Sequence, residues 1–208
     1  AASNGTVQVA YAPENWGLAA AYNYSSGDNG AGGLGSTNST LTTQSFYGLG
    51  TTSSVGLSAW WTPEESGWIP SISTGWGLNK TSLNNTDQIK SVTSQSWYVG
   101  LQWADAFLKG NNMGMAVGQP TFITGADFSS SFPKDDKFIG DGNYAWEFWY
   151  QFQVTDNISV TPAIYYLSRP FGQATDIGGF TGNGVVEASD RDNTFSNFGG
   201  VLKTTFKF

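Results

Sequence analysis

Apolar and polar side chains alternate along most of this chain. The clearest run covers 144–154, where every second residue is apolar and the residues between are small or polar, with Trp149 as the exception. Successive side chains of a β-strand leave opposite faces, so a period of two predicts a strand with one apolar and one polar face. The pattern recurs up to the last residue, and no segment shows a helical period.

Nine strands follow from this alternation. Most of them contain the roughly nine to eleven residues that cross a membrane at a tilt of about 45°. The predicted strands cover residues 6–12, 16–24, 53–62, 70–79, 95–105, 112–118, 144–154, 159–168 and 196–208.

Residues 44–62 admit two interpretations. Residues 44–51 form either a separate strand, in a hairpin with 55–62, or the start of one long or bulged strand. We prefer the single strand, because the hairpin would invert the sidedness of everything before it.

The connections alternate in length, which predicts which side of a membrane each one faces. Short turns hold Pro, Asp, Asn and Gly, whereas the long connections are rich in Gly, Ser, Asn and Thr. Short periplasmic turns and long external loops are typical of outer-membrane barrels. The predicted long loops cover residues 25–52, 80–94, 119–143 and 169–195.

Composition favours a membrane barrel over a soluble protein. Charged residues make up 12% and aromatic residues 15% of the chain, whereas about a quarter of an ordinary globular protein is charged. Aromatic residues on the apolar face lie near strand ends, as in the two girdles of a lipid-facing barrel. They are Trp16, Tyr22, Tyr24, Trp61, Trp97, Trp103, Tyr144, Phe206 and Phe208. A soluble β-sandwich lectin is the remaining fold alternative.

The fold class predicted is therefore an all-β, antiparallel transmembrane β-barrel of the outer-membrane porin type, with residues 1–208 forming part of one barrel domain. Hydrocarbon does not tolerate an open sheet edge, and nine antiparallel strands do not close with correct parity. We expect an N-terminal part of the barrel to be absent from this sequence or to be supplied by another segment.

The sequence offers no catalytic, cofactor or metal site. It contains no His and no Cys, which removes the usual general base, the thiolate ligands and the cysteine nucleophiles. A net charge of -7 argues against nucleic acid as a partner. We interpret the protein as a non-enzyme and look for polar residues that line a pore.

Pore-lining candidates come from the polar face and from the long loops. Alternation places Glu147, Gln102, Gln151 and Lys203 on the face opposite the apolar one. The loop at 119–143 is long enough either to fold into the barrel and select solutes by charge, or to stay outside and bind divalent cations or lipopolysaccharide. Its candidates are Asp127, Lys134, Asp135, Asp136 and Lys137, and Arg169 begins the last long loop.

Several short motifs resemble cyanobacterial outer-membrane porins of the OprB-like carbohydrate-selective porin family, in their C-terminal barrel half. They are Tyr-Ala-Pro-Glu-Asn-Trp-Gly at 11–17, Trp-Ile-Pro-Ser-Ile-Ser at 68–73, Gly-Met-Ala-Val-Gly-Gln-Pro at 114–120 and Ile-Tyr-Tyr-Leu at 164–167. The resemblance covers essentially the whole chain. Phe208 at the end of an alternating strand matches the terminal signal that barrel-assembly machinery reads.

The resemblance implies a barrel of about sixteen strands, a homotrimer, and contacts with outer-membrane lipid and lipopolysaccharide. It implies passive diffusion of small polar solutes or ions, with carbohydrate transport as the family activity and iron uptake sometimes assigned. Sugar-selective members carry basic residues at their constriction, but this chain has only two arginines, Arg169 and Arg191, both in or beside the last long loop. The alternative function is a non-conducting barrel or surface adhesin that binds partners through its long loops.

Overall fold

The computed structural model describes residues 3–26, 40, 43, 50–65, 67–84, 89–128, 142–170, 172 and 196–207. Its regular elements are nine strands: β1 (Ser3–Tyr11), β2 (Trp16–Ser26), β3 (Gly50–Trp61), β4 (Ser71–Leu83), β5 (Ile89–Ala104), β6 (Asn112–Phe128), β7 (Tyr144–Thr155), β8 (Ile158–Ser168) and β9 (Ser196–Phe206). No helix among these residues has the length and apolar character needed to cross a membrane.

The nine strands form one sheet in chain order, each antiparallel to the strand before it. The predicted strands and their antiparallel arrangement are confirmed. We call the edge with the short connections, such as 12–15 and 156–157, the turn end, and the opposite edge the loop end. Odd-numbered strands run towards the turn end, and even-numbered strands run away from it.

Directly paired residues form rows that cross the sheet on alternating faces. One row presents apolar and aromatic side chains almost throughout: Tyr11, Leu18, Ala59, Thr74, Val99, Val117, Trp146, Tyr166 and Phe198. The next row, on the other face, is mostly small: Gly17, Trp60, Ser73, Gly100, Ala116, Glu147, Tyr165 and Gly199. Alternation in the sequence therefore becomes two chemically different faces of one layer.

The sheet curls around the small and polar face. A concavity of about 610 Å³ is lined by residues from β1 through β8, including Gln8, Gly75, Glu147 and Tyr165. The apolar side chains of the other face stay exposed, as in Val9 at 72% and Leu18 at 53%. This fold therefore needs an apolar surrounding on its convex face and water on its concave face.

β4, β5 and β6 exceed their predicted bounds by the most, and they do so towards the loop end. β4 continues to Leu83 and β5 already begins at Ile89, so the predicted loop at 80–94 was wrong. The predicted loop at 119–143 likewise begins as strand, because β6 runs on to Phe128. The physical reason is burial: four side chains pack into one apolar cluster that only paired strands bring together. The cluster contains Ile89, Val92, Ile123 and Ala126.

The extended part of β6 separates from its other neighbour. β6 pairs with β7 only over Asn112–Gly118. Just beyond, between the β5 partners Gln95 and Trp97, β6 carries an extra residue. Pro120 lies in this bulge, where its missing N–H does not interrupt a regular ladder. Among the described strands, the outer β5–β6 hairpin is thus paired with β4 and not with β7, which begins at Tyr144.

β3 settles the ambiguous segment in favour of a single strand. It runs from Gly50 to Trp61 without a break and pairs with both β2 and β4 through Thr52–Ser54. The hairpin alternative was therefore wrong. Residues 44–49 lie outside the described residues.

Candidate functional site: the concave wall

The sequence-predicted pore residues of the strands lie on the concave face. Glu147 is exposed there and pairs directly with Ala116 on one side and Tyr165 on the other. The other three have small or polar partners: Gln102 with Gly114, Gln151 with Asn112, and Lys203 with Thr161. These four residues share one face but do not form a cluster.

The loop-end candidates are placed differently from the prediction. Asp127 lies in β6, not in a loop, and its carboxylate accepts a hydrogen bond of 2.7 Å from the Ser91 hydroxyl. Arg169 follows β8 with a φ of 49°, and its carbonyl accepts a hydrogen bond from the Gly172 amide. The charged group at 134–137, Lys134, Asp135, Asp136 and Lys137, lies outside the described residues, so the inward or outward course of that loop stays a prediction.

Among the described strand residues, no charged side chain occupies a position directly paired with Glu147. Between the turn end and the loop end, Glu147 and Lys203 are the charged side chains that the described strands place on the concave face. Lys203 lies two strands away from Glu147 across the sheet and four residues further along the strand direction, which gives a distance of about 16 Å. This distance is about twice the Debye length of about 8 Å at physiological ionic strength. The mid-height wall near Glu147 is therefore negative.

Sequence reasoning missed four aromatic residues on this otherwise small face. Each one pairs directly with a glycine on the neighbouring strand. The pairs are Trp60 with Gly17, Tyr98 with Gly75, Trp149 with Gly114, and Tyr165 with Gly199. The signal in the sequence was the break in alternation, visible at Trp149, together with glycine at the position that the register places opposite.

The four rings lie directly over their glycines. A β-carbon added at Gly75 would be 2.5 Å from a ring carbon of Tyr98, and one added at Gly199 would be 2.5 Å from the Tyr165 ring. At Gly17 and Gly114 the nearest atoms are likewise those of the indole rings. A ring occupies the space of the missing side chain, which protects the exposed glycine backbone and keeps the ring close to the wall.

The concave wall is more enclosed towards the loop end. There Asn23, Ser54 and Asn79 occupy one row across β2, β3 and β4, and each is at most 6% exposed. The Asn23 amide donates to Thr6 Oγ1 at 2.7 Å, and the Asn79 amide donates to Ser94 Oγ at 3.2 Å. Ser54 Oγ and Asn79 Oδ1 have no hydrogen-bond partner. This part of the wall is polar, uncharged and partly unsatisfied.

The convex face carries several of the aromatic residues that the sequence placed on the apolar face, although Trp97 lies in the middle of β5 and Phe208 lies outside the described residues. Trp16, Trp61 and Tyr144 are 39 to 45% exposed on it, close to strand ends. The indole N–H of Trp97 donates to Gln119 Oε1 at 2.6 Å, so its polar atom is satisfied even within an apolar surrounding.

A single antiparallel layer that is apolar outside and small or polar inside is the wall of a transmembrane β-barrel. Among the described residues, no group of three or more His, Cys, Asp or Glu side chains could hold a metal ion. The comparison with protein families agrees with this class. Residues 7–208 match the family model described as carbohydrate-selective porin, OprB family. The chain belongs to this family, which is one of outer-membrane transport channels.

Neither the curated proteins nor the solved structures contain a match to this chain.

Proposed function

We propose that the concave wall lines a water-filled channel in the bacterial outer membrane, through which small polar solutes diffuse passively and cations pass more readily than anions. The observation that carries the proposal is the position of Glu147. Its carboxylate is exposed at mid-height on the wall, beside Ala116 and Tyr165 and far from Lys203. The residues that pair directly with it are uncharged, so they do not neutralise its carboxylate.

The size of the effect follows from Coulomb's law. At 5 Å from the carboxylate, a monovalent ion in water gains or loses about 0.8 kcal/mol, which changes its local concentration about fourfold. Enclosure by the wall lowers the effective dielectric constant and strengthens the effect. A negative wall favours inorganic cations, including iron species, whereas a basic constriction would favour anions.

Ion selectivity tests the proposal. The protein in its native outer-membrane assembly is reconstituted in a planar bilayer, and the reversal potential is measured in a salt gradient. We expect Glu147→Gln to lower the cation-to-anion permeability ratio severalfold and Glu147→Lys to invert it. Glu65→Gln removes the same charge from an exposed turn and should leave the ratio unchanged. Equal ratios in wild type and Glu147→Gln would refute the assignment of Glu147, and the absence of any conductance would refute the channel.

We further propose that the edges β1 and β9 pair with additional strands in the assembled barrel. Neither edge has a second neighbour among the described strands, and each unpaired backbone group in hydrocarbon costs several kcal/mol. A closed barrel with only antiparallel neighbours has an even number of strands, so these nine strands require an odd number of further ones. A total of about sixteen strands meets this condition. A barrel made from two copies alone would join β9 of one copy to β1 of the other in parallel.

A homotrimer in contact with lipopolysaccharide is the assembly we propose for this channel. The support is the family and the broad, exposed apolar convex face. Native mass spectrometry of the detergent-extracted protein measures both features at once, because it reports the number of copies and any lipid that stays bound.

A further inference from the structure

Two amide side chains on the concave wall turn their N–H groups away from a serine that lies between them. Asn23, Ser54 and Asn79 are directly paired neighbours on β2, β3 and β4, and they are 6%, 0% and 4% exposed. Directly paired side chains on one face have β-carbons about 4.5–5.5 Å apart. We propose that the side-chain oxygens of these three residues form a binding site for a monovalent alkali cation, Na⁺ or K⁺.

Hydrogen bonds fix the Asn23 amide with its nitrogen towards β1. This nitrogen donates to Asn4 Oδ1 at 2.8 Å, to the Gly5 carbonyl at 3.2 Å and to Thr6 Oγ1 at 2.7 Å. The Gly5 carbonyl can only accept, so an amide turned the other way would place two acceptors against each other. The oxygen and the nitrogen of an amide diverge from the same carbon. The Asn23 oxygen is therefore left on the side of Ser54.

The Asn79 amide has the mirror-image arrangement on the other side of Ser54. Its nitrogen donates to Ser94 Oγ on β5 at 3.2 Å, which leaves Oδ1 towards β3. Asn79 Oδ1 and Ser54 Oγ are buried without a hydrogen-bond partner, although they belong to directly paired residues. Buried polar atoms are normally satisfied, and a group of oxygens that faces no donor is suited to a positive ligand. One cation between the strands would contact all three oxygens.

The site is bounded by side chains towards the loop end and is open towards the concavity. On the loop-end side, the hydroxyls of Thr52 and Thr81 bond to each other at 2.8 Å, and these residues are 2% and 9% exposed. On the turn-end side, the directly paired residues are Gly56 and Gly77, which have no side chains and line the concavity. A small ion can therefore reach the oxygens from the concave side of the sheet.

The uncharged surroundings of the site favour a monovalent ion. Among the described strand residues, the direct partners of the three and their same-face neighbours two positions away are all uncharged: Thr6, Ala21, Ser25, Thr52, Gly56, Gly77, Thr81 and Ser94. Ca²⁺ sites use carboxylates among their oxygen ligands, whereas neutral oxygens can replace the hydration shell of an alkali ion. Asn79→Asp supplies a carboxylate of nearly the same shape and should make the site bind Ca²⁺.

The unfolding temperature of the detergent-solubilised native assembly tests the site, because a ligand that binds only the folded state stabilises it. It is measured in choline chloride, NaCl and KCl at one ionic strength. We expect wild type to gain about 2–4 °C in NaCl or KCl, as for an ion at about five times its Kd. Ser54→Ala should lose most of this gain. Ser58→Ala, which removes an exposed hydroxyl from the same face of β3, should keep it. CaCl₂ should stabilise Asn79→Asp more than wild type.

Sodium NMR gives a second readout that does not depend on unfolding. Na⁺ that exchanges with the site has a broadened line, and added KCl should reverse the broadening by competition. The broadening should be weaker in Ser54→Ala and unchanged in Ser58→Ala. Equal unfolding temperatures in the three salts, together with equal line widths in wild type and Ser54→Ala, would show that a water molecule or a turned Asn79 amide satisfies Ser54, and would overturn the cation site. Neither measurement requires conduction, so this failure is distinct from a failure of the proposed channel.

Discussion

Replacing Gly114 by alanine should displace the Trp149 indole from the channel wall. The added β-carbon would lie 2.5 Å from Cε2 and 2.7 Å from Nε1 of that ring. Ordinary carbon contacts begin near 3.5 Å, so the ring has to move by about 1 Å. The side chain is not enclosed by a second layer, so it can tilt into the lumen.

The energetic cost is set by two opposing effects. Overpacking costs about 1–3 kcal/mol in closed cores, and the open lumen puts this site near the lower end. The substitution also lowers the conformational entropy of the unfolded chain, which stabilises the folded state by about 0.4–1 kcal/mol. We expect a small net destabilisation, below about 2 kcal/mol, and a clear reduction of single-channel conductance, because the displaced indole projects into the lumen.

Gly5→Ala is the control, because a β-carbon there has no atom within 4 Å. Thermal unfolding, followed by the heat-dependent shift in gel mobility, and single-channel conductance are measured for both variants. In the double variant Gly114→Ala with Trp149→Ala the clash is absent, so the two changes should show a favourable interaction. If Gly114→Ala unfolds and conducts like Gly5→Ala, Trp149 does not lie over Gly114, and the reasoning fails.

Four further substitutions test other parts of the structure. Leu101→Lys, on the convex face, should cost about 2–4 kcal/mol of stability or block membrane insertion, which is measured by the insertion yield. Gln102→Lys, on the concave face, should insert normally and lower cation selectivity, which is measured by the reversal potential. Ser54→Ala removes a buried hydroxyl without a partner and, in choline chloride, should leave the unfolding temperature unchanged or raise it. Ile123→Ala should cost about 2–5 kcal/mol locally and make the outer β5–β6 hairpin sensitive to protease, without a loss of conductance.

Most of the fold was predictable because one physical rule governs it. In a single layer between lipid and water every strand carries the same alternation, so nine strands and their faces can be identified without knowledge of the tertiary contacts. The rule fails where the layer leaves the membrane. Residues 80–83 and 89–94 are strand although half of them are Ser or Thr. The reason is that the buried residues Val92 and Ile123, which pack together, come from different segments.

The candidate site was predictable only in part. The face of Glu147 followed from parity alone, which needs no knowledge of neighbouring strands. The pairing of aromatic residues with glycines did not, because Trp149 looks like an error in the alternation until Gly114 is known to stand opposite. That fact depends on the register between β6 and β7, which the sequence of neither strand contains. Asp127 was misplaced in a loop for the reason that also hid the outer hairpin.

The separation of β6 from β7 beyond Gly118 has a consequence for how this protein can change over evolutionary time. The outer β5–β6 hairpin is attached to the barrel through β4 and carries its own small apolar cluster. Substitutions can therefore be tolerated in it without a change in the register of the strands that position Trp60, Tyr98 and Trp149. Surface variation and transport are thereby assigned to different stretches of the same strands.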